Sequence, residues 1–461
     1  MIDKLWLQPP LAFARLGPSR TPCDNYRWGP SDLTPRGSGK TTVVPEPTLD
    51  LAADGTLTER MPQQVRFKDA EGWRPVCPYF EVHGSWTADG ERRTGPVTEE
   101  VLAGFGLGLD DVRWEVTVAN LKAHHITQAD GDRVTARVQV RGDDHQRHRL
   151  DGVSPQTEPE PLVPAGRSVP LGAVQVPVPN AALPELRLRF TPGAGVVYGP
   201  VGLPQPPAPQ GAPPRYRVPQ ERLFLNPDAA WPRFALSDDP GTDPRTVPGG
   251  LFAGAENSGQ SAGLVDDVCD GLVTVTLPGG LTATARVVAC PPVFSPDRRP
   301  FVSIADGLAD RIGRGDVRRP EYVADPQTAL EIRDLFERIL ETAGNVNLDA
   351  MNDIFGSLPT VEQLNGVLLG LTDSGKRRHR RLVALETLED LLRERPALVT
   401  ERIREPVGEP AYSDDWRATF TEQMPPDMRA ADGAALHLTH RQYDLLVAWA
   451  RSLRANTEPG T

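Results

Sequence analysis

Short runs in which apolar and polar residues alternate recur through residues 1–305, with turn residues between them. The clearest pair is residues 272–277 and 281–288, joined by Pro278-Gly-Gly280. Period-two alternation on both sides of a Gly-Gly turn predicts a β-hairpin. Further runs predict strands at residues 65–69, 75–82, 112–119, 133–140 and 186–190. We therefore expect many short antiparallel strands in this part of the chain.

A different periodicity begins after residue 325. One run places Leu330, Leu335, Phe336, Ile339 and Leu340 at helical spacing, which predicts an amphipathic helix over residues 329–340. Helices are also predicted at residues 361–371, 382–395 and 439–453. The fold class is thus α+β: β-rich, sandwich-like antiparallel sheets with a mainly helical C-terminal part. The predicted domains are 1–305 and 306–455, with a disordered tail at 456–461.

Composition changes this picture in the connections between strands. The 461 residues include 48 prolines and 42 glycines, well above ordinary frequencies. The prolines are densest in two stretches, which we expect to be loops at about 152–184 and 204–219.

Charge and cysteine content restrict the classes of function. A formal net charge of -12 argues against nucleic acid as a partner. No apolar run approaches the roughly 20 residues of a membrane helix, and the N-terminus lacks the apolar segment of a signal peptide. The four cysteines include no pair with CxxC spacing, so we expect reduced thiols. A cytoplasmic protein follows as the prediction.

The segment Gly263-Leu-Val-Asp-Asp-Val-Cys-Asp-Gly271, named here the aspartate turn, precedes the hairpin and concentrates acidic residues. We predict that it forms a buried polar network with a proline-rich return segment. The candidate members are Asp266, Asp267, Asp270, Asp297, Arg298 and Arg299. Aspartates stabilise turns by accepting backbone hydrogen bonds. Clustered carboxylates can also bind a hard cation such as Ca²⁺, so both interpretations stay open.

Other candidate chemistry is weaker. His145 and His148 have a spacing that could place two zinc ligands together, but their charged surroundings favour a solvated loop. Cys269 stands between aspartates, which should raise its thiol pKa and make it a poor nucleophile. No Gly-x-Ser-x-Gly motif is present. We therefore assign no catalytic residue and expect no metal or cofactor site.

Five segments resemble one known family in colinear order. They are Pro9-Pro-Leu-Ala-Phe-Ala-Arg-Leu-Gly-Pro-Ser19, Val65-Arg-Phe-Lys-Asp69, the aspartate turn, Met424-Pro-Pro-Asp-Met-Arg429 and Leu436-His-Leu-Thr-His-Arg-Gln-Tyr-Asp-Leu-Leu-Val-Ala-Trp449. Together they resemble the lysine ε-oxidase and glycine oxidase quinoproteins, the LodA-like family.

The resemblance implies a shared scaffold and sets an expectation about the cofactor. Family members with oxidase activity build cysteine tryptophylquinone from their own cysteine and tryptophan, and they oxidise an amine with release of ammonia and peroxide. In the family, the cofactor-bearing segment follows a helix with a Gln-Tyr motif, which Gln442 and Tyr443 of this chain resemble. Here no cysteine lies beyond Cys290. We therefore expect no cysteine tryptophylquinone, unless an unrecognised cross-link, such as Cys269 with Trp416 or Trp449, or a partner chain supplies it.

Three functional hypotheses follow. The first is a non-catalytic LodA-like scaffold that acts as a binding or assembly protein, with a second chain or further copies of itself as partner. The second is a subunit of, or a divergent, amine oxidoreductase of the quinoprotein oxidase type. The third is metal-assisted catalysis at the aspartate turn, which requires metal binding that Asp267→Ala abolishes without unfolding the protein.

Overall fold

The computed structural model describes residues 2–31, 41–203, 218–234, 261, 263–293, 296, 299–300, 302–313, 315–343, 397, 403–406 and 437–455. The chain divides into two compact units. The first comprises Met1–Tyr26 and Pro45–Phe294, and the second comprises Arg27–Val44 and Ser295–Thr461. The segment Arg27–Val44 thus groups with the second unit, although its place in the sequence put it in the predicted β-rich domain.

The described strands and helices are numbered in chain order. The strands are β1 (Ile2–Gln8), β2 (Leu11–Arg15), β3 (Tyr26–Ser31), β4 (Thr41–Pro45), β5 (Thr48–Leu51), β6 (Leu57–Arg60), β7 (Lys68–Asp69), β8 (Gly72–Trp73), β9 (Tyr79–Ala88), β10 (Glu91–Pro96), β11 (Arg113–Asn120), β12 (Val134–Arg141), β13 (His148–Gly152), β14 (Val169–Gln175), β15 (Arg187–Pro192), β16 (Val197–Pro200), β17 (Leu223–Leu225), β18 (Val265–Asp266), β19 (Cys269–Leu277) and β20 (Leu281–Cys290). The α-helices are α1 (Glu99–Ala103), α2 (Lys122–Thr127), α3 (Ala230–Arg233), α4 (Ile304–Gly313), α5 (Pro320–Ala324), α6 (Pro326–Ala343) and α7 (His440–Ala455). Short 3₁₀ turns lie at Leu109–Asp111, Asp130–Asp132, Gln220–Arg222, Pro278–Gly280 and Asp316–Arg318.

Two large sheets build the first unit. A six-stranded sheet has the order β1-β9-β15-β14-β13, with β10 also paired to β9. A five-stranded sheet has the order β12-β11-β19-β20-β2, in which only the β2–β20 pair is parallel. The predicted hairpin is confirmed: β19 and β20 run antiparallel with Leu277 opposite Leu281 across the Pro278–Gly280 turn. The β-rich α+β class is likewise confirmed.

The apolar faces of both large sheets meet in one core. Phe80 and Phe190 come from the six-stranded sheet, Trp114 and Val273 come from the five-stranded sheet, and all four are almost fully buried. Full burial of one such side chain contributes about 1.5–3 kcal/mol. Alternation places the other side chains of each strand on the opposite face, and on the six-stranded sheet that face carries polar groups.

The described helices of the second unit pack around their own core. The helix predicted at residues 329–340 is α6, and the predicted last helix is α7. The core includes Leu335, Phe336 and Ile339 of α6 together with Leu446 and Trp449 of α7. The apolar face of α6 is nevertheless shifted from the predicted one. Leu330 is 57% exposed, and the residue two positions further on, Ile332, is buried in its place.

Two predictions about strands and loops are wrong. The stretch 152–184 contains β14, an inner strand of the six-stranded sheet, whose Val169 and Leu171 are fully buried. Pro170 lies where the β13–β14 register shifts, and a residue without an N–H group is tolerated at such an irregularity. In the run 65–69 only Lys68–Asp69 forms a strand, paired with Gly72–Trp73.

Several predicted features lie outside the described residues. They are the helices at 361–371 and 382–395, the loop at 204–217, the segment 424–429 and the tail at 456–461. Within the ranges given above, the helices are all too short or too polar to cross a lipid bilayer.

Candidate functional site

Asp267 holds the loop that precedes β16 through both of its carboxylate oxygens. Oδ2 accepts a hydrogen bond from the backbone N–H of Gly195 at 2.9 Å, and Oδ1 accepts one from Val196 at 3.1 Å. Burial raises the pKa of Asp267 from 3.8 to about 6, although the two backbone hydrogen bonds act in the opposite direction. Asp267 therefore fixes the backbone of this loop, and its carboxyl group becomes protonated in mildly acidic solution.

Gly271 ends the aspartate turn where two strands come very close together. Its partner across the β11–β19 ladder is Val118. A Cβ atom on Gly271 would lie 1.9 Å from the carbonyl oxygen of Thr117 and 2.7 Å from the Cα atom of Val118. Because both obstacles are backbone atoms, no rotation of a side chain could relieve the clash. The glycine of the motif is therefore required by packing.

The other two aspartates of the turn bind separate groups. Asp266 Oδ2 accepts a hydrogen bond from Lys122 Nζ at 2.6 Å, and Oδ1 accepts one from Asn120 Nδ2 at 3.0 Å. Asp270 is exposed and forms an ion pair with Arg286 at 3.3 Å. Each of the three carboxylates is therefore paired with groups of the protein itself, whereas a Ca²⁺ site uses carboxylate oxygens as metal ligands.

The remaining candidates of the predicted network are placed differently. Arg299 lies in the second unit, where it forms ion pairs with Asp334 at 2.5 Å and Glu337 at 3.4 Å. Asp297 and Arg298 lie outside the described residues. The described part of the proposed network is thus Asp266 and Asp267 with their own partners, and Asp270 is only an exposed neighbour.

The candidate metal and nucleophile residues are also engaged elsewhere. His145 Nδ1 lies 3.1 Å from the Val176 carbonyl oxygen, and His148 Nε2 lies 2.9 Å from Asp144 Oδ2. In the described ranges no three His, Cys, Asp or Glu side chains gather as a metal site. Burial, and then the charge of the neighbouring Asp267, raise the pKa of the Cys269 thiol strongly, in the direction expected from the sequence.

The Leu-Thr-x-x-Gln-Tyr motif of the family resemblance forms the start of α7. Thr439 Oγ1 accepts a hydrogen bond from the Gln442 N–H at 3.2 Å, and Gln442 Oε1 accepts one from the Thr439 N–H at 3.0 Å. This reciprocal pair is a capping box. Leu438 and Tyr443 on either side belong to the same hydrophobic core, as in a hydrophobic staple. This motif, like the aspartate turn, shapes the local fold.

A pocket of about 570 Å³ lies over the polar face of the six-stranded sheet. Strand β9 directs Phe80 and Val82 into the core, which leaves Tyr79 and Glu81 on the opposite face. Strand β15 leaves its two arginines on that same face, with Arg187 opposite Glu81 and Arg189 opposite Tyr79. All four of these side chains line the pocket, here named the sheet pocket. Its other walls come from β1, β5 and residues 22–26 and 76–78.

Ion pairs order the floor of the sheet pocket. Glu81 Oε2 accepts hydrogen bonds from Arg187 at 2.8–2.9 Å, and Glu81 Oε1 lies 2.8 Å from His83 Nε2. The Arg187 guanidinium also lies 2.7 Å from Glu185. Since the Arg187 side chain is only 9% exposed, these contacts fix its position on the sheet.

A buried carboxylate in the wall of the pocket has its own pair of cations. Asp24 Oδ2 lies 2.8 Å from Arg74 Nη1, and Asp24 Oδ1 lies 2.5 Å from Arg60 Nη2. Burial alone would raise the pKa of Asp24, but the hydrogen bonds and charges of the two arginines outweigh it and lower the pKa. Asp24 is therefore an ionised carboxylate whose negative charge is balanced by two arginines, and its role is structural.

The groups in the pocket that could act as nucleophiles are held in their protonated forms. Burial raises the pKa of Cys23 to about 11 and that of Tyr79 to about 12, and it raises the pKa of Cys77 as well. Arg189 lies beside Cys77 and Tyr79 and lowers both pKa values, yet burial prevails. At neutral pH the pocket therefore presents thiol and phenol groups, and no thiolate or phenolate.

The sequence analysis predicted the strands that build the pocket but did not identify the pocket residues. A usable signal existed in Leu186-Arg-Leu-Arg-Phe190, where period-two alternation puts Arg187 and Arg189 on one face. The segment Tyr79-Phe-Glu-Val-His83 alternates in the same way. That the two polar faces adjoin, with Arg187 opposite Glu81, depends on strand pairing between distant segments.

A second pocket of about 1180 Å³ lies in the second unit beside α7. Its lining mixes apolar side chains such as Val447 and Trp449 with the Arg318–Asp444 ion pair, whose atoms are 2.7 Å apart. Its volume is larger than that of the sheet pocket, and its charged groups are partly exposed to solvent.

Comparison with known proteins gives a likeness of fold. No family model matches the sequence, and no curated protein matches it. Crystal structures of the L-lysine ε-oxidase from Marinomonas mediterranea are similar, including one of its Schiff base intermediate with L-lysine. The sequence identity is 14% and the TM-scores are 0.47–0.48. The aligned region covers 97% of this chain and 60–61% of the oxidase chain.

The lysine oxidase belongs to the family that the five sequence segments resemble. The chain spans about 60% of the length of these oxidase structures. At this identity the likeness assigns no residue a role.

Proposed function

We propose that this chain is a LodA-like binding protein whose first unit takes up a small molecule in the sheet pocket. The observation that carries the proposal is the pocket itself: a cavity of about 570 Å³ with a small set of ordered polar groups on its floor. Small-molecule sites typically enclose about 300–1,000 Å³ and use a few fixed polar groups to orient the ligand.

The state of the pocket residues supports binding over covalent catalysis. A cysteine or tyrosine nucleophile needs a lowered pKa or an adjacent base. Cys23 and Tyr79 have pKa values raised to about 11 and about 12, so both are protonated at neutral pH. Such groups can donate hydrogen bonds to a ligand but do not attack it.

A pocket-filling substitution tests this proposal. Leu49 lies on β5 in the pocket wall, and Leu49→Trp should occupy the space of the ligand. The matched control is Leu272→Trp, at an exposed position of β19. Unfolding temperatures would be measured with increasing amounts of the small-molecule fraction of a host extract. Ligand binding to the folded state raises the unfolding temperature.

We expect the fraction to stabilise the wild type and Leu272→Trp, and to leave Leu49→Trp unchanged. Equal stabilisation of Leu49→Trp would place the ligand elsewhere and would contradict the proposal.

A second candidate function is a part of an amine oxidoreductase of the quinoprotein oxidase type, favoured by the five family-like segments. Bound cysteine tryptophylquinone would supply the carbonyl electrophile for an amine. Cys269 Sγ lies 3.5 Å from the Leu171 carbonyl oxygen, and the tryptophan of the neighbouring strand is too far along that strand to be cross-linked to it. Trp114 on the neighbouring strand pairs with Val275, six residues after Cys269 and roughly 20 Å along the strand. Trp416 lies outside the described residues.

Intact mass separates this second candidate from the first. The protein would be purified from its own host, denatured and weighed together with every chain that co-purifies. Loss of a few hydrogens or gain of oxygen, with a positive redox-cycling stain, would indicate a quinone in this chain. An unmodified chain with a stoichiometric, quinone-modified partner would establish a two-chain oxidoreductase. An unmodified chain without such a partner would exclude both forms.

A further inference from the structure

Two buried arginine atoms on the floor of the sheet pocket have no hydrogen-bond partner within the described part of the chain. They are Nη1 of Arg187 and Nε of Arg189. The side chain of Arg187 is more than nine-tenths buried, and its other nitrogens are occupied by Glu81 and Glu185. Nearly all buried N–H groups in proteins have a partner, so each exception requires an explanation.

Arg189 also differs from the other charged side chains that line the pocket, because each of the others has an ion-pair partner. Asp24 pairs with Arg74 and Arg60, and Arg187 pairs with both Glu81 and Glu185. Arg189 has no carboxylate within ion-pair distance among the described side chains. No carboxylate of the described chain therefore pairs directly with the charge of Arg189.

The neighbouring groups Cys77, Tyr79 and Arg147 supply no negative charge to pair with Arg189. The Arg147 guanidinium lies near enough to lower the pKa of the Cys77 thiol, as Arg189 itself does. Cys77 and Tyr79 stay protonated at neutral pH and add no negative charge. The same two groups can donate hydrogen bonds to an oxygen atom placed among them.

An uncompensated guanidinium in a partly buried site is unfavourable unless something pairs with it. Water could solvate the N–H groups, but it would not balance the charge. A carboxylate or a phosphate group would do both, because its oxygens accept two parallel hydrogen bonds from one guanidinium.

We propose that the sheet pocket binds a small anion whose carboxylate or phosphate group pairs with Arg189 and reaches the unpartnered N–H of Arg187. This inference rests on the proposed function and names the chemical class of its ligand. Arg189 supplies the charge and the bidentate geometry. The Arg187–Glu81 pair holds the second donor in place across the strands.

The thiols in the pocket wall report occupancy directly. The wild type would be treated with a small alkylating reagent at alkaline pH, and the labelling rates of Cys77 and Cys23 would be measured by peptide mass spectrometry. Cys290 lies outside the pocket lining and serves as the internal reference. The probes are succinate, inorganic phosphate and the neutral isostere succinamide, all at one ionic strength.

Three variants complete the design. Arg189→Gln removes the charge, and Arg189→Lys keeps it without the planar fork. Arg92→Gln is the matched control, because Arg92 is an exposed arginine on β10 of the same sheet. Circular dichroism checks the fold of each variant.

We expect succinate or phosphate to slow the labelling of Cys77 relative to Cys290, and succinamide to have no effect. Whichever anion protects at the lower concentration distinguishes a carboxylate from a phosphate ligand. Arg189→Gln should raise the half-protecting concentration about tenfold to a hundredfold, the usual value of a charged hydrogen bond. Arg189→Lys should fall between, and Arg92→Gln should match the wild type.

Two results would overturn the inference while leaving the proposed function standing. One is protection by succinamide equal to that by succinate. The other is an unchanged half-protecting concentration in Arg189→Gln. The wild-type comparison of succinate with succinamide needs no variant, so it remains decisive if Arg189→Gln fails to fold. The inference would also be overturned if neither succinate nor phosphate slowed the labelling of Cys77. The proposed function would then be decided separately by Leu49→Trp.

Discussion

Single residues of the aspartate turn have roles that their chemical type alone did not distinguish. Asp267 is 1% exposed and accepts two backbone hydrogen bonds, while Asp270 is exposed and forms a surface ion pair. A surface pair contributes about 0–1 kcal/mol, whereas an unsatisfied buried donor costs about 1–3 kcal/mol. Burial therefore decides which of two neighbouring aspartates matters for stability.

The raised pKa of Asp267 predicts a pH dependence of stability with a definite sign. In the unfolded chain the carboxyl ionises near 3.8, and in the folded chain it ionises near 6. Between pH 3.8 and about pH 6 the folded protein keeps a proton on Asp267 that the unfolded chain has lost. The free energy of unfolding therefore falls as pH rises through this range. The full difference corresponds to about 3 kcal/mol.

The test compares urea unfolding of the wild type and Asp267→Asn between pH 4 and pH 7. The amide side chain of the variant does not titrate, so the wild type should lose up to about 3 kcal/mol relative to the variant across that window. If the free energy of unfolding of the two proteins had the same pH dependence, Asp267 would have an ordinary pKa in the folded protein, and the prediction would be wrong.

At the scale of elements, close strand approach and helix capping are the features that the family-like motifs encode. The aspartate turn ends at Gly271 because β11 leaves no room for a Cβ atom. The Thr439-x-x-Gln442 segment begins α7 with a capping box. Both motifs were recognised in the sequence through resemblance, and their physical roles became clear only from the contacts.

Gly271→Ala should separate β19 from β11. The new methyl group would meet backbone atoms at 1.9 and 2.7 Å, so the strands must move apart. We expect a loss of about 3 kcal/mol in the free energy of unfolding, the upper end of the usual range for overpacking, because the clashing atoms belong to the backbone. Gly95→Ala is the control, because no atom lies within 4 Å of the added Cβ. Equal urea midpoints for the two variants would contradict the close approach.

Thr439→Ala should weaken the start of α7. The substitution removes the side-chain oxygen that caps the Gln442 N–H, at a cost of about 1 kcal/mol. Thr439→Ser keeps the hydroxyl and should remain near the wild type. Thermal unfolding followed by circular dichroism compares the two. If Thr439→Ser loses as much as Thr439→Ala, the effect is due to the methyl group and not to the cap.

At the scale of the whole molecule, the net charge of the chain does not predict which charged groups meet at a single site. The chain carries a formal net charge of -12, which argued against nucleic acid as a partner. The sheet pocket nevertheless gathers Arg187 and Arg189 on one face. Overall charge describes solubility and long-range repulsion, whereas a site depends on a few groups at contact distance.

The sequence by itself determined the elements whose physics is local. Period-two alternation on both sides of Pro278-Gly-Gly280 predicted the hairpin, and helical spacing predicted α6 and α7. The strand β14 was missed because Pro170 and Gly172 resemble loop residues, and its burial comes from pairing with β13 and β15. A local sequence pattern identifies a strand only when its residues are typical strand formers. A strand that contains proline or glycine can be recognised only from the strands that pair with it.

The tertiary structure alone decided where function could reside. Arg187 and Glu81 are 106 residues apart in the sequence, and only the β9–β15 register places them opposite each other. The grouping of Arg27–Val44 with the second unit also depends on contacts between segments that are distant in the sequence. Pairing between distant segments is chosen by the burial of whole faces, a sum over many residues. The alternation of Leu186-Arg-Leu-Arg-Phe190 therefore showed that two arginines share a face, but the pocket they line exists only in the folded sheet.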